Sequence, residues 1–253
     1  MDITNRYSDN TVIVKGRCTS SLTSFTDLNA ANILTDQATL LNTPSTLAIS
    51  SSSANDASPS GTGARTLKLF GLGSDKTFIT ETIALSGQTV VTTTNSFYRL
   101  FWARVESTGT AITGCNAGDI YIIKSGTGGS YSGGVPGTFT IASAIAKILA
   151  QTNQGGSCFY TTPDIDGHWT VKRIDISSTT QSGVAVLQVL DNENGDPYLR
   201  EIYINFSAGA DISMDVTPYN FVYTKLTDIR LLALTGTGGG AVNGAIQIEY
   251  SII

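Results

Sequence analysis

The sequence is short of charge. Lys, Arg, Asp and Glu make up 14% of its 253 residues, well below the roughly one quarter usual in globular domains. Ser, Thr, Gly and Asn fill the gap. A surface of hydroxyls and amides packs readily against copies of itself, because little charge has to be desolvated. The formal net charge is -5, and the 15 cations are scattered along the chain. Binding to phosphate backbones relies on clustered Lys and Arg, so nucleic acid is not expected as the main partner. Long apolar runs are also missing. The Ile141–Ala150 stretch is far short of the ~20 residues that span a bilayer, so no membrane partner is expected. Met1–Arg6 (MDITNR) lacks a basic-then-apolar leader, which predicts synthesis in a cytosol without export by that route.

Catalytic residue types are equally scarce. The single histidine, His168, sits in Asp164–Trp169 (DIDGHW). One His without a placed nucleophile makes no Ser-His-Asp site, and it reads as a turn residue before a strand that begins at Trp169. There is no nucleophile elbow, phosphate loop or His-Glu-x-x-His. The three cysteines, Cys18, Cys115 and Cys158, are odd in number and far apart. They read as small buried hydrophobes rather than a disulfide framework. With one His they are too few and too scattered for a zinc site. No cofactor or metal is expected.

Two carboxylates suffice for a glycosidase, and Glu81, Glu106, Glu193, Glu201 and Glu249 are the candidates. Most fall in strands or beside turns, where a solvent-facing carboxylate is the default. Asp191–Asp196 (DNENGD) has the oxygen density of a calcium loop, and Glu201 follows Gly195 at the EF-hand offset. No flanking helices are predicted, so a hairpin loop is the favoured reading.

What the sequence does have is β-patterning. Arg65–Phe70 alternates polar and apolar side chains as a half-buried strand does, and Gly71–Asp75 reads as a turn. Further strands are predicted at Thr11–Val14, Leu47–Ile49, Phe78–Leu85, Thr89–Thr93, Tyr98–Glu106 and Asp119–Lys124. Later ones fall at Gly156–Thr162, Trp169–Ile176, Gly183–Leu190, Leu199–Phe206, Phe221–Thr224, Asp228–Ala233 and Ala245–Ile252. Asp166-Gly167, Asn194-Gly195 and Gly236–Gly240 mark turns. Thr138–Gln151 fits either a short helix or a buried strand. Leu28–Leu41 fits one helix, with Asp27 as its cap. No short tandem repeat is visible, which argues against solenoids and propellers.

This spacing predicts an all-β protein of antiparallel sandwich, jelly-roll-like architecture. An N-terminal arm or docking segment is expected at 1–44, a first lobe at 45–130 and a second at 131–253, joined near Gly126–Gly137. In Phe97–Trp102 (FYRLFW), alternation sends Phe97, Arg99 and Phe101 to one face and Tyr98, Leu100 and Trp102 to the other. Core on one side and a subunit contact on the other is the simplest account. Phe97, Tyr98, Phe101 and Trp102 are therefore the candidate interaction residues, with sugar stacking as the rival use.

Several stretches resemble a family of virion structural proteins of tailed phages and of some large viruses of aquatic hosts. They are Ala54–Ala57 (ANDA), Gly61–Leu67 (GTGARTL), Gly71-Leu72, Glu81–Gly87 (ETIALSG), Thr92–Phe97 (TTTNSF), Gly118–Ile122 (GDIYI), Gln154–Thr162 (QGGSCFYTT) and Thr227–Ala233 (TDIRLLA). The likeness covers most of 45–253 and lies in turns and strand edges. It implies a non-enzymatic capsid decoration, cement, minor capsid or fibre-type role in the virion, with no catalytic residue carried over. The implied partners are a major capsid protein or other virion proteins and further copies of the chain, with a trimer expected. Two rivals remain. One is a receptor- or carbohydrate-binding module on the virion surface, using exposed Trp102, Trp169 or Tyr131. The other is a glycoside hydrolase or lyase.

Overall fold

The computed structural model describes residues 11–18, 26–27, 41–110, 114–139, 143–156, 159–191, 199–235 and 241–252. The expected helix at Leu28–Leu41 and the Asn194-Gly195 and Gly236–Gly240 turns lie outside these residues, apart from Leu41 itself. Along the chain the strands are β1 (Thr11–Cys18), β2 (Thr26–Asp27), β3 (Leu47–Ser51), β4 (Ala64–Gly73), β5 (Phe78–Ala84), β6 (Val91–Thr92), β7 (Phe97–Thr108), β8 (Ile120–Lys124), β9 (Tyr131–Ser132) and β10 (Val135–Pro136). They continue with β11 (Ala144–Ile148), β12 (Gln154–Gly156), β13 (Phe159–Thr161), β14 (His168–Ser178), β15 (Gly183–Asp191), β16 (Leu199–Phe206), β17 (Asp211–Asp215), β18 (Val222–Tyr223), β19 (Thr227–Thr235) and β20 (Val242–Ser251). One 3-10 turn, Thr217–Tyr219, is the only helical element among the described residues. The protein is all-β, and every strand pair among the described residues is antiparallel.

The chain forms two compact units. Unit 1 is Met1–Leu28 with Ser157–Ile253, and unit 2 is Asn29–Gly156. These are not the lobes expected at 45–130 and 131–253 behind an arm at 1–44. Of the arm or docking segment expected at 1–44, β1 pairs with β20 along all eight of its residues and β2 pairs with β19, while residues 1–10, 19–25 and 28–40 lie outside the described residues. Residues 144–156 belong with the first half of the chain because β11 pairs with β8 and β12 with β7. The Gly-rich stretch near 126–137 is not a linker between lobes. It carries the β9–β10 hairpin inside unit 2, held where the Ser50 hydroxyl donates to the Gly134 carbonyl at 2.7 Å.

Unit 1 has two sheets, ordered β1-β20-β14-β17 and β13-β19-β15-β16, with β18 also on β14 and β2 on β19. Unit 2 has two main sheets, ordered β11-β8-β3-β6 and β12-β7-β4-β5. In unit 2 one apolar cluster draws on both: Leu47, Ile49, Ile120, Ile122 and Ile148 from the first, and Leu67, Leu69, Ile83, Phe97 and Ala103 from the second. β-Branched and aromatic residues at alternate positions make these faces. Within the Thr138–Gln151 stretch, Ala144–Ile148 form strand β11, whose Ala144, Ile145, Ala146 and Ile148 are buried.

The entry and exit of unit 2 interrupt one edge strand of unit 1. Thr26 and Asp27 of β2 pair with Ala233 and Leu232 of β19, and Phe159–Thr161 of β13 pair with Arg230, Ile229 and Asp228. The two pieces run in the same direction along β19 and leave only Leu231 between their registers. The edge is thus in register as if residue 28 were followed by 159.

Candidate interaction surface

The sheet β12-β7-β4-β5 has its inner face in the core of unit 2. Its register fixes what the other face carries. Lys68 lies opposite Arg104, and Phe70 opposite Trp102. Phe70 and Trp102 have ring centroids 5.1 Å apart. Lys68 Nζ stands 5.5 Å from the Phe70 ring centre, and the Arg104 guanidinium stands 5.6 Å from Phe70 and 5.9 Å from Trp102. The result is a patch of two cations over two aromatic rings, the arrangement that cation–π attraction favours. Phe70 is buried beneath it, while Lys68, Trp102 and Arg104 are half-buried. Arg104 also pairs with Glu106 at 3.0 Å. Lys68 has no ion pair among the described residues.

Simple alternation misplaces the aromatic run. The β4–β7 register shifts between Phe70 and Gly71 and again between Leu72 and Gly73. Two bulges in β7 result, and each re-aims the side chains that follow. The core therefore takes Phe97, Leu100 and Ala103, although simple alternation puts Phe97 and Leu100 on opposite faces. Phe97 is wholly buried in that core and presents nothing to a partner. Tyr98 and Phe101 are buried as well. The Arg99 guanidinium lies 4.0 Å from the Tyr98 ring centre and donates to the Tyr98 carbonyl at 2.7 Å. Phe101 sits edge-on to Phe78. Of the four candidates only Trp102 keeps part of its surface open. Lys68, Phe70 and Arg104 complete the patch, and only the strand register could have linked them to it. Gly71, expected in a turn, is a strand residue at the first bulge. A Cβ there would lie 2.0 Å from the Arg99 carbonyl oxygen, so the position has no room for a side chain.

The remaining polar groups hold the fold. Asp56 is fully buried and accepts from the Ser51 hydroxyl and the amides of Ala64, Ala117 and Gly118 at 2.6–2.9 Å. It fastens the 52–63 loop to the 116–118 turn. Asn116 ties that turn to Leu149 and Asn153. In unit 1 the Thr161 hydroxyl donates to buried Asp228, and Arg230 Nε donates to Gln188 at 3.2 Å. Burial, with Glu201 adding to it, pushes the Tyr223 hydroxyl far above its ordinary range.

Among the described residues, the candidate carboxylates are held by other partners or exposed. Glu81 accepts from the Thr94 and Asn95 amides, Glu106 is held by Arg104 and Glu249 by Lys172. Glu201 is exposed on β16, and Glu193 lies outside the described residues, as do residues 192–196 of the expected calcium loop. His168 is an exposed residue at the start of β14. Among the described residues no cluster of His, Cys, Asp and Glu is arranged to hold a metal ion. Cys115 is a half-exposed free thiol, not the buried hydrophobe expected. Cys18 lies on β1, and Cys158 falls outside the described residues. Trp169 is buried in unit 1 against Tyr160 and Tyr250 and offers no stacking surface. Tyr131 is half-buried. No helix among the described residues is long and apolar enough to cross a membrane.

No known protein family matches the chain, and no curated protein does. Three solved structures of infectious bursal disease virus align at low similarity. The Gx strain is 10% identical over 94% of this chain and 68% of its own, with a TM-score of 0.24. The Gt strain is 9% identical over 96% and 76%, with a TM-score of 0.21. T=1 particles derived from this virus are 10% identical over 96% and 74%, with a TM-score of 0.15. At such TM-scores the likeness carries no argument about this chain.

Proposed function

We propose that this chain is a non-enzymatic structural protein of a virus particle, a decoration, cement or minor capsid component that binds the shell and copies of itself. The observation that carries the reading is the strand order. Each unit builds its two main antiparallel sheets on paths of four strands, with β18 and β2 added off those paths in unit 1, and this order supports the reading of each unit as a jelly roll, a fold used by capsid and lectin domains. A four-bladed arrangement of the four sheets is the rival architecture. Propeller blades repeat along the chain, whereas each of these sheets takes strands from distant parts of it.

The low charge and the resemblance of residues 45–253 to virion structural proteins support the same role. The mechanism is mechanical. Buried sheet faces make a stiff body, and outer faces and loops bind neighbours. A symmetric oligomer, with a trimer as the working expectation, would make each weak contact effective on a lattice.

Mass spectrometry of purified particles tests this directly. Hundreds of copies would fit a shell or cement role, and a few dozen or fewer a vertex, fibre or tail. Absence from particles would refute it.

A receptor- or carbohydrate-binding role is the second reading. The Trp102–Phe70 pair and the exposed Tyr219, stacked on Phe221 at 5.7 Å, favour it. Binding on a glycan array that is lost in Trp102→Ala or Tyr219→Ala would support it.

A further inference from the structure

We propose that the Lys68–Trp102–Arg104 patch of unit 2 docks on the acidic β17 edge of unit 1 in a second copy of this chain. The inference rests on the self-associating role proposed above and names the surfaces that meet.

It begins from an uneven split of charge. Unit 1 carries eight cationic and fourteen acidic side chains, a formal charge of -6. Unit 2 carries seven and six, a formal charge of +1. Two of the seven cations of unit 2 share one patch. Lys68 and Arg104 face the same side of one strand pair over Phe70 and Trp102.

Unit 1 offers the complement. β17 (DISMD) is the edge strand of its sheet, and Asp211, Ser213 and Asp215 are all exposed on one face of it. Asp175 lies opposite Ser213 on β14 and accepts from its hydroxyl at 2.7 Å. Three carboxylates therefore line one stretch of edge, about 13 Å long at ~3.3 Å per residue. Asp175 is paired with Arg173 at 3.2 Å. Asp211 and Asp215 have no ion pair among the described residues. Hydrogen bonds from Thr217 hold the Asp215 carboxyl below its usual range, so it stays charged. Beyond Asp215 the chain exposes 60% of Tyr219, stacked on Phe221.

A cationic patch that includes half-buried Trp102 thus has, elsewhere on the same chain, an acidic edge followed in sequence by exposed Tyr219. Two different patches meeting make a head-to-tail contact, which closes into a ring when the rotation allows it and otherwise grows a filament. Charged contacts of this kind set partner choice and association rate, and salt weakens them.

The test is sedimentation velocity of the full chain at low and high salt. Wild type is expected to associate at low salt, with an apparent Kd that rises about tenfold or more as salt screens the contact. Lys68→Glu with Arg104→Glu, and separately Asp211→Lys with Asp215→Lys, should each abolish association. An equimolar mixture of the two variants should restore it, because each supplies the surface the other has lost. Circular dichroism of each variant checks its fold, and the milder Lys68→Gln with Arg104→Gln pair stands in for any that unfolds. Association unchanged in both variants, or no recovery in the mixture of folded variants, overturns the contact. In the first case the chain still self-associates and the structural role stands. Wild type that stays monomeric at low salt and high concentration overturns this contact. If it is also absent from purified particles, the structural role falls as well.

Discussion

The two units fill one strand pattern from different starting points. In unit 1 the chain takes the third place of one sheet with β14, then the third and fourth places of the other with β15 and β16. It goes on to the fourth place of the first sheet with β17 and ends in the two second places with β19 and β20. Unit 2 makes the same tour with β3, β4, β5, β6, β7 and β8. The difference lies in the first places. In unit 1 they are taken by β1 and β13, which precede the tour, and in unit 2 by β11 and β12, which follow it. One unit is a circular permutation of the other. Sheet pairing and the apolar faces decide where a strand sits, and the connecting loops can be cut and rejoined at little cost. The chain applies the same freedom a second time by opening an edge strand of unit 1 to admit unit 2.

The boldest way to break this comparison is to excise unit 2. If the edge of unit 1 is in register across the insertion, deleting 29–158 so that Leu28 meets Phe159 leaves a unit that folds cooperatively. Deleting 29–159 slips the rest of the strand by one position, turns its side chains to the wrong faces and removes fully buried Phe159. That variant is expected to be less stable by about 3 kcal/mol or more, read by thermal melting of both. Equal melting of the two would show that the register does not bridge the gap.

A smaller effect separates the loops that follow equivalent strands. In unit 2 the long connection from β3 to β4 hangs on the Asp56 carboxylate, which satisfies three backbone amides and a hydroxyl. In unit 1 the short connection from β14 to β15 is closed by the Ser178 hydroxyl, which donates to the Gln181 carbonyl at 2.7 Å and accepts from its amide. Asp56→Ala leaves buried donors without a partner and is expected to cost about 2 kcal/mol. Ser178→Ala should cost about 1 kcal/mol. The two tryptophans report on the units separately, Trp102 on unit 2 and Trp169 on unit 1. In single-tryptophan variants, Asp56→Ala should shift only the Trp102 transition and Ser178→Ala only that of Trp169.

The sequence showed the strands well and their company poorly. Alternation in Arg65–Phe70 located β4, because a half-buried sheet imposes a period of two. β17 was missed, since DISMD at an exposed edge has little apolar signal. Glycine misled in both directions. Gly71 looked like a turn and is a close approach at a bulge, and Gly126–Gly137 looked like a linker and holds a hairpin. The unit boundaries were illegible for a different reason. They depend on β12 returning to β7 and on β13 resuming the edge begun by β2, pairings between residues far apart in sequence. The same holds for the surface patch. Trp102 was legible as part of an aromatic run, but Lys68 and Arg104 join it only through the register of β4 on β7.

The smallest expected effect compares the acid response of the two units. Each has an exposed aspartate serving a turn. Asp75 in unit 2 accepts from the amide and hydroxyl of Thr77, and Asp215 in unit 1 accepts from the Thr217 amide at 2.9 Å. The Thr77 backbone hydrogen bond chiefly lowers the Asp75 pKa below 3.8, and Thr217, through side chain and backbone, does the same for Asp215. A carboxylate whose pKa is lower folded than unfolded stabilises the fold above its unfolded value, and that contribution is lost as pH falls through the folded one. Both units should therefore lose a little stability as pH drops below 3.8. Asp75→Asn should flatten that loss for the Trp102 transition alone, and Asp215→Asn for the Trp169 transition alone. If either substitution flattened both transitions, the units would not unfold as separate bodies, and the comparison drawn between them would have to be given up.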